Sequence, residues 1–175
     1  IMRYTLRLLT LQQFERAAML MCACESIRRS RNDLGKEEIS ICLWVGSAST
    51  PNKLADARAS LESLKKGETL TEKNPVQLRN CSWCATPLSH KNYYVADSNP
   101  RLVITCRNPS CEFEKGLPCY LVDDDIYRLK PTLMIATVDK FASLPWRESA
   151  GPLFGMDSET PPPELIIQDE LHLIS

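Results

Sequence analysis

The chain has 175 residues, 43% of them hydrophobic and 25% charged, with a net charge of −1. That is enough apolar material for one folded domain plus a small insertion, and it makes a folded chain rather than a disordered one the expectation. No apolar run approaches the roughly 20 residues that a membrane span needs, and "IMRYTLRLLT" lacks the apolar block and cleavage site of a secretory signal, so a cytoplasmic protein without membrane contact is expected.

The near-zero charge hides an asymmetry. Residues 1–66 hold 11 Lys/Arg against 7 Asp/Glu, whereas residues 120–175 hold 4 against 10. Such a split suits a protein that meets phosphates with one part and a divalent cation with another, although solvated faces alone produce the same count.

From the N-terminus, the apolar run Thr5 to Leu9 reads as a strand. Thr10 with Gln13 three residues later forms a capping-box pattern, which predicts a helix starting at Thr10. Phe14, Ala17, Ala18, Met21, Cys24 and Ile27 recur at helical spacing, and "RRSR" (28–31) suits the helix's negative end. "ISICLWVG" (39–46) is a β-prone run. Thr50 before Pro51 predicts the cap of a second helix, which Gly67 stops. Helical periodicity lapses from about 75 to 119. Beyond it, "DDDIYRLK" reads as a short acid-started helix, "LMIAT" as a strand, "VDKFASL" as another helix, 145–163 as a long proline-rich loop and Leu165–Ile167 as a last strand. Strands alternating with helices predict a parallel α/β sheet covered on both faces, with its chemistry at the carboxyl ends of the strands.

Two clusters carry chemistry. In the first, "IIQDELH", apolar Ile166 and Ile167 would bury a strand and bring Asp169 and Glu170 out at its tip. There Asp169 would hold, through water, a Mg²⁺ bound to nucleotide phosphates, Glu170 would orient and deprotonate the attacking water, and His172 would sense the nucleotide. A strand that simply ends in an acidic turn shows the same Asp-Glu pair.

In the second cluster, Cys81 and Cys84 are followed by Cys106 and Cys111. Two such knuckles can wrap one Zn²⁺ tetrahedrally, and four thiolates leave no open position, so the site would be structural; reduced core thiols are the alternative. His90 and Cys119 stand in reserve as ligands, and Cys22, Cys24 and Cys42 read as ordinary buried thiols. "YYV" and "RLVIT", between the knuckles, can pair to complete a zinc ribbon. Trp83, Tyr93, Tyr94, Lys91, Arg101 and Arg107 supply either its small core or a nucleic-acid surface.

The acidic cluster resembles motif II of superfamily 2 DExH-type helicases, and the likeness extends further. "LLTLQQFERAA" is similar to the motif Ia region and "IATVDKFA" to the motif Ib region. Together with the cysteine segment they resemble the large helicase of DISARM-type anti-phage defence systems. The resemblance implies a partial RecA-like sheet: first part at 1–74, an inserted four-cysteine zinc ribbon at 75–119, and a second part at 120–175 ending in motif II. It also implies ATP-dependent movement on nucleic acid, DNA favoured, with Thr10, Gln13, Thr137 and Lys140 near the polymer's backbone, and with a second RecA-like domain and defence-complex subunits as partners. There is no G-x-x-x-x-G-K-[ST] phosphate loop in the chain. That loop is expected ahead of Ile1 and the second domain after Ser175, so this chain alone is expected not to hydrolyse ATP. Two other readings stay open: a non-catalytic nucleic-acid-binding zinc ribbon on a degenerate α/β scaffold, and a purely structural scaffold.

Overall fold

The computed structural model describes residues 2–156 and 161–168. Among them, a three-stranded parallel sheet of order β4-β1-β5 is built from β1 (Ile41–Trp44), β4 (Cys119–Tyr120) and β5 (Leu133–Ala136). Central β1 pairs Ile41 with both Cys119 and Leu133, and all four of its residues are buried. A strand covered on both faces needs apolar side chains on both, which "ICLW" supplies.

Alternate residues of the sheet feed two cores. Ile41, Leu43, Val45, Cys119 and Leu121 face a large core shared with α1 (Met2–Ser30), α2 (Leu54–Lys65) and the cysteine-rich segment. Cys42, Trp44 and Tyr120 face a smaller one closed by α3 (Asp123–Leu129), α4 (Val138–Ala142) and the 3-10 turns Leu144–Trp146 and Glu148–Phe154. On that side Trp44 meets the rings of Phe141 and Tyr127 edge-on at 5.5 and 6.2 Å.

The expected hairpin forms: β2 (Tyr93–Val95) runs antiparallel to β3 (Leu102–Ile104), with Tyr94 opposite Val103. Its core does not stand apart. Leu78, Cys81, Tyr93, Leu102, Ile104, Cys106, Cys111 and Phe113 are continuous with Phe14, Ala18 and Cys22 of α1 and with the sheet. Tyr93 fixes the approach, since its hydroxyl donates to the Leu78 carbonyl at 3.0 Å and accepts from the Leu78 amide at 3.1 Å.

Four local expectations are corrected. Thr10 lies inside α1, which runs unbroken from Met2 to Ser30, so no strand ends and no helix starts there. The run before it contains neither glycine nor proline, and a short apolar run without a breaker serves a helix as well as a strand. Secondly, α2 is not capped by Thr50: its N-cap is Lys53, and the Leu54 amide donates to Asp124 Oδ2 at 2.9 Å, a cap supplied from α3. The proline-rich loop is partly ordered into the two 3-10 turns. Lastly, Leu165–Ile167 form no strand and are 74, 60 and 80% exposed. A strand exists only through a neighbour's backbone hydrogen bonds, and among the described residues none reaches this segment.

Candidate functional site

Each knuckle is a tight turn that points two sulfurs inward. In the first, the Cys81 amide donates to the Thr86 carbonyl at 2.8 Å, the Ala85 amide returns to the Cys81 carbonyl at 2.9 Å, and Ala85 takes a left-handed φ of 59°. In the second, Asn108 caps the turn, its Oδ1 accepting from the Ser110 amide at 3.0 Å and its carbonyl from the Cys111 amide at 2.9 Å.

The turns bring Cys81, Cys84, Cys106 and Cys111 together, all four sulfurs within 4.8 Å of one another. Cys84 and Cys106 stand 3.5 Å apart, Cys81 and Cys111 3.8 Å. Zn²⁺ with four thiolates at about 2.3 Å sets tetrahedral edges of about 3.8 Å, so the donor set fits one Zn²⁺. The gaps are too long for disulfides and too short to straddle a polynuclear iron–sulfur cluster.

The electrostatics are divided. Cys84 is held down at about 6, chiefly by its side-chain hydrogen bond with Thr86. Burial raises the Cys81 thiol, against the backbone amides of Cys84 and Trp83. A bound cation would offset that cost, since metal ligation requires the thiolate. Of the reserve ligands, His90 sits in the 3-10 turn His90–Asn92 and Cys119 is buried in β4; neither joins the four-sulfur group. Cys22 and Cys42 are buried thiols as expected, while Cys24 is only half-buried.

The second region is the carboxyl edge of the sheet. Thr137 caps α4 there but makes no side-chain capping hydrogen bond. Lys140 is buried, with its Nζ 2.5 Å from Asp123 Oδ2, so the exposed phosphate contact expected of it is not offered: its ammonium is committed to an internal carboxylate. Thr10 is half-buried and Gln13 exposed, one turn apart on α1. Asp169, Glu170 and His172 lie outside the described residues.

Sequence reasoning missed Asp123 and its partners. Asp123 Oδ2 accepts from Lys140, from the Tyr127 hydroxyl at 3.1 Å and from Arg147 Nη1 at 3.3 Å. The acidic start of α3 directly after a strand was the available sign, read only as helix chemistry. Two surface cavities, of about 360 and 730 Å³, both lined by Glu38 and Arg101, lie away from this edge, beside the second knuckle and at the amino end of the sheet. No helix among the described residues is long and apolar enough to cross a membrane.

No protein-family model matches the chain. Against curated proteins, it is 39% identical to the DISARM protein DrmA of Bacillus paralicheniformis over an alignment of 212 residues that takes in all of this chain. Over its whole length the chain is thus related to part of a DISARM protein. The chain spans 19% of that DISARM protein's length, so the likeness concerns one part of a much longer polypeptide.

Proposed function

We propose that this chain is part of an ATP-driven nucleic-acid translocase or helicase of anti-phage defence: most of a first RecA-like motor domain, divided as 1–74, 75–119 and 120–175, with one structural Zn²⁺ on Cys81, Cys84, Cys106 and Cys111. The observation that carries it is the identity to a DISARM protein along the entire chain. The parallel α/β sheet and the four-cysteine cluster agree with it.

In this reading Asp169 takes the water shell of the nucleotide's Mg²⁺, Glu170 primes the attacking water and His172 relays nucleotide state to the second motor domain. The nucleic-acid backbone passes the carboxyl edge near Thr137 and the α1 face bearing Thr10 and Gln13, contacts that would be largely independent of sequence and sensitive to salt. Lys140 has no place among them as a direct contact.

The test is ATPase activity of the full-length parent protein, with and without single- and double-stranded DNA and RNA. Turnover stimulated by nucleic acid and abolished by Glu170→Gln supports the motor; an inactive parent, or turnover indifferent to Glu170→Gln, rejects it. A second reading, a zinc module that binds nucleic acid without catalysis, is favoured by Trp83 and Tyr94, 41 and 48% exposed on the cysteine-rich segment. Nucleic-acid affinity that survives Asp169→Ala but vanishes with a chelator selects it.

A further inference from the structure

A loop leaves the carboxyl edge of the sheet after each of the three strands. Each of these connections, with the first residue of the helix it leads into, carries one buried oxygen with no hydrogen-bond partner among the described residues: Thr50 Oγ1 after β1, Asp123 Oδ1 after β4 and Thr137 Oγ1 after β5. Lys140, in the helix that follows the third, joins it to the other two. Lys140, 2% exposed, donates from Nζ to Asp123 Oδ2 at 2.5 Å and to Asn52 Oδ1 at 3.2 Å, and its amide donates to the Thr137 carbonyl at 3.0 Å. The first two loops are also stitched directly, by the Asp124 amide on the Asn52 carbonyl at 3.2 Å.

An apolar side chain would fill the place of Lys140 without the cost of stripping water from an ammonium. What the ammonium adds is direction, because its donors can be satisfied only when Asp123 and Asn52 stand at fixed positions around it. Arg147, at 3.3 Å from the same Asp123 oxygen, bonds to neither Asn52 nor Thr137 and so does not tie the three connections together.

We propose that Lys140 is a positioning residue: it locks the three carboxyl-edge loops to one another through Asp123 and Asn52, and so sets where Thr137 and the loop after β1 meet a nucleic-acid backbone. The second half rests on the nucleic-acid reading above; the first does not. Lys140→Met should leave Asp123 paired with Arg147 and the Thr137 turn bonded through its amide, but should cut the tie from α4 to Asn52 and Asp123.

Amide hydrogen exchange on the 175-residue chain tests the lock. Lys140→Met should speed exchange about tenfold at residues 46–54 and 137–140, with less than about a twofold change in β1 and the β2–β3 hairpin. Arg147→Ala should change none of these. An effect confined to the turn of Lys140 itself, or spread evenly over the chain, overturns the lock. If Lys140→Met does not fold, the pair Asp123→Leu with Lys140→Met, which replaces the charges by apolar groups of similar volume, is read by the same criteria.

Anisotropy with a labelled single-stranded DNA tests the second half. Lys140→Met should weaken binding about tenfold while leaving the slope of log affinity against log salt unchanged; a slope reduced by about 0.7 would make Lys140 a direct phosphate contact and overturn the positioning role. A wild-type chain that binds no DNA overturns the nucleic-acid reading alone, and the exchange result still decides the lock.

Discussion

The guanidinium of Arg29 lies 4.7 Å above the ring of Phe113, tying the last turn of α1 to the second cysteine knuckle. One turn earlier Ser26 Oγ donates to Glu112 Oε2 at 2.7 Å, and Trp83 of the first knuckle meets Phe113 edge-on at 5.5 Å. Helix and both knuckles are therefore one packed unit, and the state of the sulfur cluster must be felt along α1.

Removing the metal should accordingly unfold more than the cysteine segment. Structural zinc contributes on the order of 10 kcal/mol to folding small metal modules, and here the same core covers one face of the sheet. Chelator, or Cys106→Ser, is expected to lower a single cooperative melting transition, followed by circular dichroism, by about 10 °C or more. A separate early transition that leaves α1 helicity intact would show that the segment folds on its own.

The sulfur spacing also restricts what the site holds. One ion per chain is expected by elemental analysis, with all eight cysteines reacting as free thiols on denaturation in chelator. Replacement by Co²⁺ should give the strong visible bands of a tetrahedral tetrathiolate. Two or more metals per chain, or the absorbance of a polynuclear iron–sulfur cluster, would contradict the geometry.

What was legible in the sequence, and what was not, divides by range. The four cysteines, the hairpin, α3 and β5 carry their own local marks: ligand spacing, β-branched and aromatic runs, an acidic first turn. The start of α1 was misread because a short apolar run is locally ambiguous; other misread features depended on partners far along the chain. The α2 amide is capped by Asp124, 70 residues away, and Lys140 was expected beside a nucleic-acid backbone because nothing in its neighbourhood announces Asp123, 17 residues earlier. That the cysteine segment shares the sheet's core could not be seen either, because Leu78, Tyr93 and Phe113 follow no single period.

Glu25 predicts an acid-sensitive step. It is buried, which alone would raise its pKa, but hydrogen bonds from Arg28, the Ile39 amide and Arg29 outweigh burial and bring it to about 2, from an ordinary 4.5. A depressed carboxylate stabilises the fold fully above its unfolded value and loses that contribution as pH falls from 4.5 towards 2. The contribution is on the order of 3 kcal/mol. Urea midpoints should drop across this window in the wild type, and Glu25→Gln should be weaker at neutral pH and flatter below it; an unchanged slope would remove Glu25 from the account.

Asp125 makes the sharpest mutational prediction. It is fully buried at the start of α3, where Oδ2 accepts from the Leu102 amide at 2.8 Å and Oδ1 pairs with Arg128 at 3.2 Å, while Arg128 also donates to the Pro100 carbonyl at 2.8 Å. Hairpin and sheet layer are thus joined by one carboxylate. Asp125→Ala leaves a buried amide without an acceptor and should cost about 3 kcal/mol in urea unfolding. Asp125→Asn keeps an acceptor for Leu102 and should cost clearly less, because only the charge on Arg128 goes unmatched and that side chain is 43% exposed. If alanine and asparagine prove equally mild, the hairpin is held by its apolar contacts with α2 and the sheet, and the Leu102 amide has found another acceptor.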